Sequence, residues 1–124
     1  MDSTGKLAVA LASARGLYGV ALAVAPGRLG TSWLGVAAAA PPVHVALRGL
    51  AVRDLALCAG AADAAVRGRP LRPWLLASAG CDVADIAATL AAGDAVPSRS
   101  RAGTIALAGI SAAAAAALAT IGER

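Results

Sequence analysis

The sequence predicts an all-α protein, an integral membrane four-helix bundle, and three features of its composition predict it. Of the 124 residues, 59% are hydrophobic, and the mean hydropathy is +0.73. Only 15% are charged, whereas a soluble domain carries about 25%. Two Trp, one Tyr and no Phe leave little aromatic bulk for a core formed in water. The hydrophobicity excludes a disordered chain, and two Cys and one His exclude a disulfide scaffold or a cysteine–histidine metal cluster.

Four apolar stretches are long enough to cross a bilayer, which takes about 20 residues per helix. The first ends at Pro26, and the second begins after Pro42. The third has Pro73 in its first turn and Gly93 after its end. Proline just inside a helix start and glycine past a helix end are common boundary signals. We therefore predict one domain, residues 1–124, with spans at about residues 7–25, 43–66, 71–92 and 102–121.

The segment between the first two spans, residues 27–40, is predicted as a connection. Its part from Trp33 to Ala40 is apolar but too short to span, so we expect it to lie at the membrane interface.

Lysine and arginine in the loops predict the orientation, because cytoplasmic loops are richer in both. Five of these residues fall on the side of the termini and three on the other: Lys6, Arg67, Arg69, Arg72 and Arg124 against Arg28, Arg99 and Arg101. We expect a multi-pass protein of the cell (plasma) membrane with both termini in the cytoplasm. The net charge of +4 is interpreted as contact with membrane lipids. A nucleic-acid partner is not predicted, since no basic stretch is interleaved with aromatic residues.

A soluble helical bundle is the alternative, because seven charged residues lie inside the predicted spans, away from their ends: Arg15, Arg48, Arg53, Asp54, Asp63, Asp82 and Asp85. In a soluble bundle such residues gather on one solvent-facing side of each helix. The fourth span has no charge, and the charges of the second are spread around its helix at about 100° per residue. Both observations favour the membrane protein.

The charges inside the spans fall at matching depths. A charged side chain at the bilayer centre costs about 2.5–3.5 kcal/mol on insertion scales, so it needs a partner. Arg15 lies at the middle of the first span, Arg53 and Asp54 at the middle of the second, and Asp82 at the middle of the third. We expect these four residues to form a central layer of two positive and two negative charges.

A second, outward layer is expected above the central one. Asp85 follows Asp82 by about one turn, and Arg48 lies in the same direction along the second span. This arrangement predicts that the charges balance layer by layer, as a buried ionic network requires.

A narrow polar stripe runs along the third span at spacings i, i+4, i+7 and i+11. Its members are Ser78, Asp82, Asp85 and Thr89. On the first span, Tyr18 lies on the same face as Arg15. A stripe of this kind indicates a helix face turned toward a protein interior.

The run RGLAVRDLALCAG, from Arg48 to Gly60, carries an Arg-Asp pair before an apolar stretch with glycine, and an acidic residue follows in the middle of the next span. This layout resembles a group of small four-span bacterial membrane proteins of unknown function that carry an Arg-Asp motif in the second helix. The resemblance implies a four-helix fold and brings no known activity.

An ionisable cluster inside a membrane marks a functional site by default, although holding helices in register is a structural use of the same residues. The function that we favour is a site for a lipophilic small molecule. The residues assigned to ligand binding are Tyr18, Arg48, Ser78 and Thr89. No cofactor or metal is predicted, and a homo-oligomer stays an open alternative.

Two further functions remain open. The first is a membrane-embedded acid–base enzyme, an isomerase, cyclase or hydrolase acting on a lipophilic substrate. Asp82 and Asp85 then supply the acid and the base. Arg15 or Arg53 stabilises developing negative charge, and Asp54 completes the catalytic set.

The second is a small proton-coupled transporter in which Asp82 takes up and releases protons. Small multidrug transporters share the size and the number of spans. They place a lone carboxylate in the first helix, however, where this chain has Arg15.

Overall fold

The computed structural model describes residues 1–121, and the regular secondary structure of this part is entirely helical. Its five α-helices are α1 (Ser3–Val24), α2 (Pro26–Leu34), α3 (Pro41–Val66), α4 (Arg72–Ala92) and α5 (Ser98–Ile121). Short 3-10 turns at Val36–Ala39 and Gly93–Ala95 precede α3 and α5. The prediction of an all-α protein is confirmed for the described residues.

Local sequence signals account for the helix boundaries. The Asp2 side chain caps α1 by accepting a hydrogen bond from the Gly5 N–H at 2.7 Å. Pro26 and Pro41 begin α2 and α3, where a missing N–H costs nothing. Gly93 ends α4 with a φ of 55°, a conformation in which a side chain is strained.

The long helices form two pairs. α1 packs mainly against α3, and α4 packs mainly against α5. One buried apolar cluster lies within the first pair and α2, and consists of Leu22, Leu47 and Ala51. A second joins the start of α1 to the other pair, and consists of Ala8, Leu75, Ala115 and Ala119. The two clusters are about 20 Å apart along α1, so the middle of the bundle lies between them.

Glycines let helices approach closely, as at Gly16 and Gly60. A Cβ at Gly16 of α1 would lie 2.7 Å from the Cys58 sulfur of α3. A Cβ at Gly60 of α3 would overlap the ring of Trp74 in α4. Because nothing larger than hydrogen fits at either position, these glycines set the distance between the helices.

Three helices are long and apolar enough to cross a membrane: Ser3–Val24, Arg72–Ala95 and Ser98–Ile121. α3 covers the predicted second span but carries four charged residues, Arg48, Arg53, Asp54 and Asp63. Large apolar side chains are exposed on the outer faces of the long helices, as at Leu17 and Ile110. An apolar outer surface of this kind is compatible with a membrane protein.

Candidate functional site

Five charged side chains at the middle of the bundle form a continuous row of ion pairs, which we name the Arg-Asp cluster. In order, its members are Asp82, Arg15, Asp54, Arg53 and Asp85. Arg15 Nη1 lies 3.0 Å from Asp54 Oδ1, and Arg15 Nη2 lies 2.5 Å from Asp82 Oδ1. Arg53 donates to both oxygens of Asp85, at 3.0 and 2.8 Å, and its Nη2 lies 3.2 Å from Asp54 Oδ1. Each guanidinium therefore bridges two carboxylates.

Burial varies along the Arg-Asp cluster. The side chains of Asp54, Asp82 and Arg15 are only 6%, 7% and 10% exposed. At the other end, Arg53 and Asp85 are 30% and 21% exposed. Since charge–charge attraction is less screened away from water, the Arg15 pairs are the stronger part of the row.

The Arg-Asp cluster joins the two helix pairs. Arg15 comes from α1, Arg53 and Asp54 from α3, and the other two carboxylates from α4. α5 contributes Ser111, whose hydroxyl accepts a hydrogen bond from Arg15 Nη2 at 3.3 Å. Sequence reasoning missed Ser111, and its only signal is that it is the single hydroxyl in the middle of an Ala-rich helix.

The four residues expected in the central layer are joined by ion pairs, but the expected outward layer is wrong. Asp85 pairs with Arg53 rather than with Arg48. Arg48 is exposed, and its Nε donates to the carbonyl of Ala23 at the end of α1 at 3.3 Å. Arg48 precedes Arg53 by five residues, which places the two side chains about 140° apart around α3. The sequence predicted the depth of Arg48 along α3, but it did not show that Arg48 lies on a face of α3 that is turned away from Asp85.

The charges of the Arg-Asp cluster do not balance. Three carboxylates face two guanidinium groups, which leaves a formal charge of −1. One carboxylate oxygen of the cluster also lacks a donor, since Asp82 Oδ2 is buried and has no hydrogen-bond partner among the described residues.

A cleft of about 610 Å³ reaches the Arg-Asp cluster. Its inner end is polar and is lined by Arg15, Tyr18, Asp54, Asp82, Asp85 and Ser111. Its walls are apolar and include Leu11, Leu29, Leu50 and Leu107. At its outer end lies Arg99, about 18 Å from Ser111 along α5. The cleft is therefore an elongated apolar space with the Arg-Asp cluster at its inner end and Arg99 at its outer end.

Helix α2 lies across the outer end of the cleft. The Trp33 indole N–H donates to the Thr104 hydroxyl of α5 at 2.6 Å, and the Ser100 hydroxyl donates to the Ser32 carbonyl at 3.4 Å. Trp33 and Ser32 both line the cleft. The sequence predicted only a connection with an interfacial stretch here. The proline at the start of α2 and the glycine after its end are the signals that could have identified this helix.

Of the four residues assigned to ligand binding, the cleft is lined by Tyr18 alone. Thr89 is buried and donates its hydroxyl to the Asp85 carbonyl of its own helix at 2.7 Å. Ser78 lies one turn before the part of α4 that borders the cleft, and Arg48 lies on another face of α3. The structure therefore places Ser78, Thr89 and Arg48 outside this cleft, and their assignment to ligand binding stays a prediction.

All five residues predicted to be catalytic belong to the Arg-Asp cluster, and their catalytic roles stay predictions. Comparison of the chain with known protein families, curated proteins and solved structures finds no match. The candidate site is therefore defined by its geometry: an ionic row of formal charge −1, buried at Arg15, Asp54 and Asp82, at the inner end of an apolar cleft.

Proposed function

We propose that this chain is a small integral membrane protein of four spans that binds a lipophilic small molecule in the cleft beside the Arg-Asp cluster. The observation that carries the proposal is the cleft itself, about 610 Å³, with apolar walls and buried charges at its inner end. Small-molecule sites commonly combine apolar walls with a few convergent polar groups. In a bilayer, such walls admit a lipophilic molecule and the polar groups orient it.

The ion-pair partners of the charges in α3 support the proposal that α3 also crosses the membrane, in addition to the three helices that are long and apolar enough to do so. Its two central charges are ion-paired within the Arg-Asp cluster. Asp63, near the end of the helix, pairs with Arg67 at 2.6 Å and also with Arg69. Arg48, near the start, has a side chain long enough to reach the interface. With these partners, inserting α3 costs less than its charge count suggests.

The proposal includes the orientation and location derived from the loop charges, with both termini in the cytoplasm and the protein in the plasma membrane. It also retains the resemblance to small four-span bacterial membrane proteins with an Arg-Asp motif. Membrane lipids are the surrounding partners in this proposal.

A purely structural cluster is the simplest competitor, and the cleft argues against it. A cluster that only holds helices together needs no space beside its carboxylates. A membrane-embedded acid–base enzyme is the second candidate. It is favoured by Asp82, because Oδ1 is fixed by Arg15 while Oδ2 has no hydrogen-bond partner among residues 1–121.

The test is photolabelling in lipid nanodiscs with azioctanol, an eight-carbon alcohol that carries a photoreactive diazirine. The proposal predicts a saturable component of labelling that excess octanol removes. Two glycines of α5 provide a matched pair of variants, since a Cβ at Gly103 or at Gly109 meets nothing within 4 Å. Gly103 lines the cleft and Gly109 does not.

We expect Gly103→Phe to fill the cleft and abolish the saturable component, while Gly109→Phe retains it. Labelling that never saturates, or that is the same in both variants, contradicts the proposal.

A further inference from the structure

The surplus charge of the Arg-Asp cluster needs compensation. Asp54 and Asp82 are both more than nine-tenths buried, and only two guanidinium groups serve three carboxylates. An uncompensated charge in a low-dielectric interior is strongly unfavourable. A cationic ligand in the cleft would neutralise the cluster.

An unused acceptor on a residue that lines the cleft favours a ligand that donates hydrogen bonds. Asp82 is 5% exposed and lines the cleft. Its Oδ1 is held by Arg15 at 2.5 Å, and its Oδ2 has no partner among the described residues. A buried carboxylate oxygen without a donor is costly, and an N–H group of a ligand would satisfy it.

The lining of the rest of the cleft indicates what the remainder of that ligand is like. The walls at Leu11, Leu50 and Leu107 are apolar. The described residues hold no group of three His, Cys, Asp or Glu side chains that could bind a metal ion. Arg99, the cation at the outer end, lies about 18 Å along α5 from the level of Ser111, too far to neutralise the carboxylates.

We propose that the cleft binds a lipophilic amine in its protonated form, with one positive charge. The ammonium N–H donates to Asp82 Oδ2, and the apolar part extends along α5 toward α2. This inference rests on the proposed function and adds the charge and the donor group of the ligand.

The experiment is a competition against azioctanol photolabelling of the wild-type protein in nanodiscs at neutral pH. The competitors are n-octylammonium, n-octanol and n-octanoate, which share one chain and differ in charge. Each concentration is corrected for measured partition into protein-free nanodiscs. We expect octylammonium to halve the saturable labelling at a concentration about tenfold lower than octanol, the difference that one charge-assisted hydrogen bond provides. Octanoate is expected to be the weakest of the three.

The variant that tests the contact is Asp82→Asn, which removes the charge and keeps an oxygen for Arg15. We expect octylammonium to lose its advantage and to compete like octanol. Asp94→Asn is the control, because Asp94 is fully exposed in the connection before α5. If Asp82→Asn does not fold, the ranking of the three competitors on the wild-type protein still tests whether the ligand is cationic.

The outcomes separate the inference from the proposed function. Equal competition by the three compounds, or a preference for octanoate, overturns the cationic ligand and leaves a lipophilic site. An octylammonium advantage that survives Asp82→Asn overturns the assigned contact. Absence of any saturable labelling contradicts the proposed function itself.

Discussion

Arg15 of α1 and Asp82 of α4 are 67 residues apart in the sequence and form an ion pair, with Arg15 Nη2 2.5 Å from Asp82 Oδ1. The other nitrogen of the same guanidinium lies 3.0 Å from Asp54 of α3. Arg15 therefore connects both helix pairs through one side chain. A planar guanidinium with several donors suits this role, which a lysine could not fill.

Replacing Arg15 with leucine is expected to destabilise the protein by about 3–5 kcal/mol, because two buried carboxylates lose their shared partner. The free energy of unfolding can be measured by SDS titration in mixed micelles. Arg48→Leu is the control, and we expect a loss of about 1 kcal/mol or less, since Arg48 is exposed and donates a hydrogen bond to a backbone carbonyl rather than to a buried carboxylate. Similar losses in the two variants would show that Arg15 does not hold the bundle together.

Gly16→Ala is expected to destabilise the α1–α3 contact by about 1–3 kcal/mol, because the new methyl group meets the Cys58 sulfur. Gly80→Ala, in α4, faces open space and is expected to stabilise its helix by up to about 1 kcal/mol. The same SDS titration compares them. Adding Cys58→Ala to Gly16→Ala should recover most of the lost stability, and no recovery would mean that the two side chains are not in contact.

Thr104→Val removes the acceptor of the Trp33 indole N–H and is expected to loosen α2 from α5 by about 1 kcal/mol. In a Trp74→Phe background, Trp33 is the sole tryptophan and reports the change. Its emission should shift to longer wavelength and become more accessible to a water-soluble quencher. Thr120→Val is the control, because its hydroxyl binds only a carbonyl of its own helix. Unchanged emission in Thr104→Val would argue against the contact between α2 and α5.

If α3 crosses the membrane, the connections before and after it lie on opposite sides. After replacement of Cys58 and Cys81 by alanine, single cysteines are introduced at Val36, Arg69 and Asp94. A membrane-impermeant maleimide on intact cells should label positions 36 and 94 and leave position 69 unlabelled until the membrane is opened. If positions 36 and 69 react alike, α3 does not cross the membrane.

Helix ends that are marked by a proline or a glycine were predicted more accurately than ends without such a residue. The predicted second span, about residues 43–66, has nearly the same limits as α3, because prolines mark the start of this helix and a glycine follows its end. The starts of α1 and α5 come about four residues earlier than predicted. A search for apolar residues does not detect a polar first turn such as Ser98 to Arg101. This turn is helical because the backbone hydrogen bonds of α5 extend through it.

The site was predictable in part, for a physical reason. Spacing along the chain gives the depth of a residue in a helix, so Arg15, Asp54 and Asp82 could be placed at one level. Which faces meet depends on how the helices rotate and pack, and this decided that Arg53 rather than Arg48 binds Asp85. The short helix α2 was not predicted, because a search for long apolar spans does not detect a helix of nine residues.

The measurement that tests the central claim most directly is the location of azioctanol adducts on the wild-type protein in nanodiscs, mapped by mass spectrometry of peptides. The claim that a lipophilic molecule enters the cleft predicts octanol-sensitive adducts at Leu29 or Trp33 of α2 and at Leu107 or Ser111 of α5. Adducts confined to lipid-facing side chains such as Val83, and insensitive to octanol, would contradict it.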